Sequence, residues 1–383
     1  MRIAFLNPNS GHAYDPQTPK VAPLAGAESA QLYLALAMAD RGHDVILFTG
    51  SLGERWFDGV TCRPLPMDLT GYGHFDAILV THHRRLSMAN LRRAIGPKPV
   101  LLAWEHDCFR PSMPYVERVA EIGRGAAWIV AVSDWHRRWM IRTYPYLEPR
   151  LLVLRNAIAP EFCNLFAPDE NIPAAKLDPP LLTYASAPRA GLERAIEAFR
   201  ILRATRPDAH LRLHSSFEHY PPDDPLRRDQ TQWQAVFDLA RDTPGIAMPG
   251  TVPRPALARS LRETAILFYP NTIKETSSIA CMEALAAGAI VLSHPNGAIP
   301  ETLAGFGTLI PAPSGMDEVP EANRRFADAA RELMGMFDRC DPTLQLRLRS
   351  QVDYMLANCT WSVRAAEAEA LIDEARRRDD AVR

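Results

Sequence analysis

The sequence has few of the features that mark secreted, membrane-spanning or nucleic-acid-binding proteins. Its six cysteines are scattered, with no C-x-x-C pair, which argues against a zinc site or a disulfide framework and suits a reducing compartment. The formal net charge is only −2, so no overall positive field attracts nucleic acid or anionic lipid. No apolar run approaches the length that crosses a bilayer.

The N-terminus also lacks the pattern of a targeting segment. MRIAFLNPNSG has one arginine and a short apolar run, whereas a secretory signal peptide needs a longer apolar core and a cleavage site. We therefore expect a first β-strand here and a cytoplasmic protein with at most peripheral membrane contact. No G-x-G-x-x-G follows the first strand of either predicted domain, which argues against a dinucleotide oxidoreductase.

The first half of the chain has the pattern of a parallel β-sheet. RIAFLNP, the helix SAQLYLALAMAD and the strand DVILFTG form a β-loop-α-β unit. Short Val/Ile/Leu-rich strands follow at FDAILVTHH, KPVLLAWEHD, AAWIVAVS and RLLVLRNAI. In such sheets ligands bind beyond the carboxyl ends of the strands. The polar residues expected there are His82, His83, His106, Asp107, Ser133 and Asn156.

A change in sequence composition separates the first half of the chain from the second. Residues 163–180 have no apolar periodicity and four prolines, which predicts a domain linker. A second series of strands and helices follows, from LLTYAS to FGTLIP. Since 383 residues are enough for two domains, the pattern predicts an α/β protein. Two domains of similar size would face one another across a cleft between two rows of strand ends.

The stretch KETSSIACMEALAAGA, residues 274–289, combines a predicted helix with two carboxylates. Glu275 lies where the helix should begin, near Ser277. Glu283 lies at the border of the apolar arc of that helix. A carboxylate at a buried border needs a hydrogen-bond donor or a counter-charge. A sugar hydroxyl, an arginine or a backbone N–H would each satisfy Glu283, and the sequence leaves these alternatives open.

The start of this helix is predicted to be an anion site. The residues three positions after Thr276, Ser277 and Ser278 are apolar or small, so there is no Glu or Gln for a capping box. Free first-turn N–H groups are well suited to phosphate, and Gly297 would allow close backbone approach. A purely structural reading stays open as well, because a glutamate at a helix start is favourable in itself.

The same stretch, extended to ETSSIACMEALAAGAIVLSHPNGAIPE, resembles the donor-site signature of retaining glycosyltransferases with the two-domain GT-B fold, specifically the group 1 or family 4 class. That signature has two glutamates separated by seven residues, a small-residue helix ending in glycine, a strand, and a turn ending in Pro-Glu. These correspond here to Glu275, Glu283, Gly288 and Pro300–Glu301.

Other stretches are similar to the same family in the same order. PLAGAESAQLYLALAMADRG resembles its N-terminal glycine loop and first helix, with Gly26 as the loop glycine, and LLAWEHD resembles the strand that ends in its active-site histidine, here His106. TWSVRAAEAEALIDEA resembles its final helix, which crosses back onto the first domain. The resemblance implies two Rossmann-like domains: an acceptor-side domain at 1–165 with the crossover helix at about 360–383, and a donor-binding domain at 166–359.

The resemblance also implies roles for individual residues. Glu275 and His106 would be catalytic, with Glu275 accepting hydrogen bonds from hydroxyls of the donor sugar and His106 near the reacting sugar. Glu283 would hold the nucleotide ribose. The remaining donor-binding residues would face the diphosphate or shape the site; they are Gly26, Arg189, Lys274, Thr276, Ser277, Ser278 and Ile279.

The sequence departs from the family in its positive charge. The family has an arginine and a lysine in the first donor-domain loop, but here Tyr184 stands near the arginine place and Ala190 directly precedes Gly191. Arg189 remains, with Lys274 as a second candidate cation. No D-x-D pair exists to hold a metal ion, so we expect a metal-independent enzyme with no cofactor.

The function implied is transfer of a sugar, with retention, from a nucleotide-diphosphate sugar to an acceptor hydroxyl. The partners expected are the nucleotide sugar and a carbohydrate or lipid-linked acceptor, as in polysaccharide biosynthesis, with no nucleic acid. The alternatives are a GT-B-shaped nucleotide-sugar binding protein with weak or no activity, and a nucleotide-sugar epimerase on the same fold. The sequence does not specify the base, the sugar or the acceptor.

Overall fold

The structure is a computed structural model that describes residues 1–8, 13–66, 69–81, 86–108, 122, 127–218, 227 and 230–381. The candidate residues His82 and His83 lie outside these ranges. The chain divides into two compact units. Unit 1 comprises Met1–Thr18, Leu24–Ala157 and Trp361–Arg383, and unit 2 comprises Pro19–Pro23 and Ile158–Thr360.

Unit 1 is built on a seven-stranded sheet. Its strands are β1 (Arg2–Leu6), β2 (Asp44–Phe57), β3 (Val60–Pro64), β4 (Ala77–Val80), β5 (Val100–Glu105), β6 (Trp128–Ala131) and β7 (Leu151–Val153). Their order in the sheet is β3-β2-β1-β4-β5-β6-β7, and β1 pairs in parallel with both β2 and β4. The described helices begin with the short α1 (Thr18–Val21), which belongs to unit 2 from residue 19 onward, and continue with α2 (Gly26–Asp40), α3 (Met88–Ile95) and α4 (Asp134–Thr143).

Apolar strands explain why this sheet is buried. Every residue of β4, β5 and β6 is buried, as expected for parallel strands that are covered on both faces. The C-terminal helix, Trp361–Asp380, also belongs to unit 1. Its first residue packs edge-on against Trp104 of β5, with ring centroids 6.5 Å apart.

Unit 2 contains a six-stranded sheet. Its strands are β8 (Leu182–Tyr184), β9 (Leu211–Leu213), β10 (Ile246–Ala247), β11 (Ile266–Tyr269), β12 (Ile290–Ser293) and β13 (Thr308–Leu309). The described helices are α5 (Leu192–Thr205), α6 (Gln234–Asp242), α7 (Arg254–Glu263), α8 (Ile279–Ala286), α9 (Ile299–Leu303), α10 (Val319–Asp338) and α11 (Pro342–Asn358). The C-terminal helix of unit 1 is therefore α12.

The order of these strands locates a binding edge. The sheet runs β10-β9-β8-β11-β12-β13, so the chain moves outward in one direction from β8 and in the other from β11. In doubly wound sheets of this kind, ligands bind at the carboxyl ends of the two strands where the direction reverses. The loops that follow β8 and β11 are therefore the first place to look for a site. Two sheets of parallel strands with helices confirm the predicted α/β class.

The segment expected to be a linker packs within unit 2. Lys176 donates from Nζ to the carbonyl oxygens of Arg262, at 2.9 Å, and Ala287, at 2.7 Å. Ile172 is fully buried and packs close to Gly288. Single contacts of this kind produce no regular spacing of apolar residues in the sequence. The pattern therefore indicated a linker. The sequence reading also missed β3 and α11, whose apolar positions follow no clear period.

None of the helices in the described ranges is both long enough and apolar enough to cross a membrane.

Candidate functional site

The loops after β8 and β11 touch one another at the predicted edge. Gly191 has φ +125°, and a Cβ added to it would stand 2.3 Å from the carbonyl oxygen of Pro270. The backbone N–H of Thr272 donates to the carbonyl of Ala190 at 3.2 Å. Glycine at position 191 is therefore required to bring the turn that carries Arg189 against the end of β11.

Glu275 is held at the same edge by its backbone. It forms a parallel β-bridge with Gly297, and its carbonyl accepts a hydrogen bond from the N–H of Ala298 at 2.7 Å. A Cβ on Gly297 would stand 2.2 Å from the carbonyl oxygen of Glu275. Gly297 therefore makes the close backbone approach that the sequence indicated, and it places Glu275 beside the turn that follows β12.

Gly297→Ala is expected to destabilise the protein more than Gly250→Ala. Both glycines have φ +69°, but nothing lies within 4 Å of a Cβ on Gly250. The two variants therefore share the left-handed strain, about 1–2 kcal/mol. Only Gly297→Ala adds a clash, worth about 1–3 kcal/mol more. Denaturant unfolding of both variants measures the difference, and equal losses of stability would show that the Glu275–Gly297 approach relaxes freely.

The Glu275 carboxylate has a specific donor and a nearby cation. The phenol of Tyr269, the last residue of β11, donates to Oε1 at 2.5 Å. Burial raises the pKa of Glu275, while the Tyr269 hydrogen bond and the positive charge of Arg189 act to lower it. The side chain is partly buried and Arg189 is exposed. The geometry thus brings together the predicted Glu275 and Arg189.

The helix after Glu275 begins two residues later than the sequence indicated. Its first residue is Ile279, and the Oγ of Ser278 accepts a hydrogen bond from the N–H of Cys281 at 3.4 Å. One first-turn N–H is therefore capped by serine alone, without a capping box. Thr276 and Ser278 are buried, Ser277 and Ile279 are partly exposed, and Lys274 is exposed. Four of the five lie between the end of β11 and the start of α8, and Ile279 begins that helix.

Glu283 is buried and engaged by protein groups. Its side chain is 1% exposed, and Nη1 of Arg254 donates to Oε1 at 2.9 Å and to Oε2 at 2.7 Å. Burial raises the pKa of Glu283, while the charge of Arg254 and a backbone hydrogen bond from Ala159 oppose the increase. Of the three kinds of partner that the sequence left open, the structure therefore supplies the arginine and the backbone N–H.

Sequence reasoning did not single out Arg254 or Tyr269. Arg254 is the first residue of α7 and Tyr269 ends a fully buried strand. The only signal was indirect. A buried carboxylate requires a donor, and both residues can donate, but nothing local in the sequence pairs either of them with its glutamate.

The predicted residues His106, Gly26 and Ser133 belong to unit 1. His106 directly follows β5, is partly buried, and packs against Trp104 with centroids 4.7 Å apart. Gly26 is the exposed first residue of α2. Ser133 caps α4 by accepting the N–H of His136 at 2.9 Å. The structure thus divides the predicted site residues between the two units.

No cluster of three or more His, Cys, Asp or Glu side chains within the described ranges is arranged to hold a metal ion.

One curated protein resembles the chain over part of its length. It is alpha-maltose-1-phosphate synthase from Mycolicibacterium smegmatis, 28% identical over 235 residues, which cover 59% of this chain and 58% of the relative. The match thus spans less than two thirds of that relative. No protein-family model matches the chain.

Solved structures resemble the chain over almost its whole length. Sucrose-phosphate synthase from Thermosynechococcus elongatus matches with a TM-score of 0.70 and 16% identity, covering 98% of this chain and 99% of that one. Anabaena HepE in complex with UDP-glucose matches with 0.68 and 14%, covering 97% and 99%. WaaG, a glycosyltransferase involved in lipopolysaccharide biosynthesis, matches with 0.63 and 16%, covering 96% and 99%. The resemblance read from the sequence is therefore confirmed in its fold: the chain has the α/β fold of the GT-B glycosyltransferases.

Proposed function

We propose that this protein is a glycosyltransferase that moves a sugar from a nucleotide-diphosphate sugar to an acceptor hydroxyl. The observation that carries the proposal is the placement of Glu275. Its carboxylate lies at the edge where the strand order of the unit 2 sheet reverses. It accepts a hydrogen bond from Tyr269, and the positive charge of Arg189 acts to lower its pKa. The likeness of the chain to alpha-maltose-1-phosphate synthase and to GT-B structures supports the same reaction class.

The chemistry of glycosyl transfer suits this arrangement. Cleavage of the anomeric C–O bond builds positive charge on the sugar and negative charge on the leaving phosphate. A carboxylate such as Glu275 accepts hydrogen bonds from sugar hydroxyls and favours positive charge. Arg189, the first-turn N–H groups of α8 and Lys274 would face the diphosphate. Retention of configuration and independence of metal ions belong to this proposal.

His106, Gly26 and Glu283 also have proposed roles in this reaction. His106 is proposed to lie near the reacting sugar, and Gly26 to form part of the glycine loop. For Glu283 we propose a supporting role through Arg254, because its side chain is 1% exposed and Arg254 bonds both of its oxygens.

The acceptor is proposed to be a carbohydrate or a lipid-linked acceptor. The names alpha-maltose-1-phosphate synthase and sucrose-phosphate synthase both describe sugar phosphates as products of those proteins. Sugars and sugar phosphates are therefore the first acceptors to test, and assembly of a polysaccharide is the proposed context.

A thermal-shift screen tests the donor half of the proposal. UDP, GDP, ADP and their sugars are added to the protein, and one base is expected to raise its Tm. At a hundred-fold excess over Kd the stabilisation is about 2.7 kcal/mol. The best donor is then incubated with candidate acceptors, and transfer is followed by mass spectrometry. Stabilisation by none of the nucleotides, together with no transfer, would overturn the proposal.

The matched variants Arg189→Ala and Arg200→Ala locate the diphosphate. Both arginines are exposed, Arg189 in the loop after β8 and Arg200 on α5. Arg189→Ala is expected to reduce the shift given by the nucleoside diphosphate but not the shift given by the nucleoside, and Arg200→Ala is expected to change neither. Nucleotide binding without hydrolysis or transfer from any donor would instead indicate a binding protein, and turnover of the donor without an acceptor an epimerase.

A further inference from the structure

We propose that Tyr269 is a positioning residue that holds the Glu275 carboxylate in its working orientation and charge state. This inference rests on the glycosyltransferase function proposed above and adds a residue to the machinery of the same site. It is carried by the contacts of a single buried phenol.

The hydrogen bonds of the Tyr269 phenol fix the direction in which its O–H donates. The side chain is 1% exposed. Ser186 donates from Oγ to the phenol oxygen at 3.4 Å, and the phenol donates to Oε1 of Glu275 at 2.5 Å. Since Ser186 occupies an acceptor direction, the O–H is left to point at the carboxylate.

A second tyrosine packs against the ring of Tyr269. Tyr184, the last residue of β8, packs against Tyr269 at 66° with centroids 5.8 Å apart. Its own phenol donates to the carbonyl of Ala187 at 2.8 Å. Ala187 is the residue before the turn that carries Arg189. Two packed rings therefore lie at the ends of adjacent strands, and their phenols bond different groups: Tyr269 bonds the Glu275 carboxylate and Tyr184 bonds a backbone carbonyl.

The carboxylate needs such a donor because its surroundings favour the neutral acid. Burial raises the pKa of Glu275. The titratable and charged groups that face it are Tyr269 from β11, Arg189 from the loop after β8, and Cys281 from α8. Tyr269 remains protonated, since burial and the charge of Glu275 both raise the pKa of its phenol. Of these groups the phenol bonds the carboxylate directly, so it favours the ionised form that accepts sugar hydroxyls.

Tyr269→Phe tests the role through the pH dependence of transfer. The variant keeps the ring and removes only the donor. Without that donor the pKa of Glu275 rises further, so the acidic limb of kcat/KM, which reports the free enzyme, is expected to move to higher pH. A hydrogen bond to a charged group is worth a factor of about ten or more, so kcat at neutral pH is expected to fall about ten-fold.

Tyr184→Phe is the matched control. It removes the same oxygen from the neighbouring buried ring, but that oxygen bonds Ala187 and not Glu275. Its acidic limb is expected to coincide with that of the wild-type protein. An equal shift in both variants would mean that the limb responds to loosened packing and would overturn the proposal.

A double-mutant cycle checks the contact without relying on activity. The Tm values of Tyr269→Phe, Glu275→Ala and the double variant are expected to be non-additive, as for residues in contact, because each single change removes the hydrogen bond. Additive Tm changes would refute the positioning role. It would also be refuted if the wild-type protein is active and Tyr269→Phe has the same acidic limb of kcat/KM and the same kcat. A wild-type protein that transfers no sugar from any donor would instead overturn the proposed function, and this inference with it, whatever the cycle shows.

Discussion

Glu275→Gln is expected to reduce sugar transfer by about a hundred-fold or more while the fold is retained. Hydrogen bonds to a charged acceptor contribute about 1.5–3 kcal/mol each. If the Glu275 carboxylate accepts hydrogen bonds from two hydroxyls of the donor sugar, replacing it by an amide removes most of the free energy of both bonds. The amide oxygen still accepts from Tyr269, so the local structure is kept. Initial rates of transfer at saturating donor measure the effect, and an unchanged rate would exclude Glu275 from the reaction.

The same variant is expected to be more stable than the wild-type protein at neutral pH. The folded-state pKa of Glu275 is raised above its ordinary value, so the folded protein binds this proton more tightly than the unfolded chain. Its contribution to stability therefore falls as pH rises from the ordinary glutamate pKa through the raised value. Glutamine removes that penalty, and the gain in Tm should vanish in acid.

The control for both effects is Glu332→Gln, an exposed glutamate on α10. It is expected to change neither transfer nor the Tm at neutral pH. A lower Tm for Glu275→Gln at neutral pH would show that the ionised carboxylate stabilises the fold, and that its role is structural.

Arg254→Met is expected to lower the free energy of unfolding by about 3–5 kcal/mol. The change leaves the Glu283 carboxylate, 1% exposed, without its charged partner. Removing one member of a buried ion pair costs about that much, because an uncompensated charge stays in the interior. Chemical denaturation at neutral pH measures the loss.

The double variant Arg254→Met/Glu283→Leu separates a structural pair from a ribose site. Replacing both charges by apolar side chains is often neutral, so most of the stability should return. If the only role of Glu283 is to stabilise the fold by pairing with Arg254, the best nucleoside diphosphate raises the Tm of the double variant as much as it raises that of the wild-type protein. Loss of that rise with stability restored would favour a direct ribose contact. A single variant as stable as the wild-type protein would refute the buried pair itself.

The residues around Glu275 show how far sequence reasoning reached. Glu275 follows a short buried strand, and polar residues at such strand ends meet at one edge of a parallel sheet. The close backbone approach indicated at Gly297 is also present, because glycine lacks the Cβ that would block it. The start of α8 was placed two residues early, since Ser277 and Ser278 are both acceptable caps and only the backbone course selects Ser278.

Residues 163–180 show what local periodicity does not reveal. Their apolar side chains follow no period, which is typical of a linker, yet they are anchored by Lys176 on two helix-end carbonyls and by buried Ile172. Such anchoring depends on groups 86 and 111 residues away along the chain. Local periodicity carries no information about partners at that separation.

The sequence by itself determined the alternation of strands and helices, the α/β class and the strand end at which Glu275 lies. These follow from local rules: apolar runs, turn residues and the spacing of side chains along a strand or helix. Only the tertiary structure decided that Glu283 is held by Arg254, that Tyr269 donates to Glu275, and that the Arg189 loop lies against the end of β11. The physical reason is that burial obliges a carboxylate to find a donor, but the packing of distant elements decides which donor it finds.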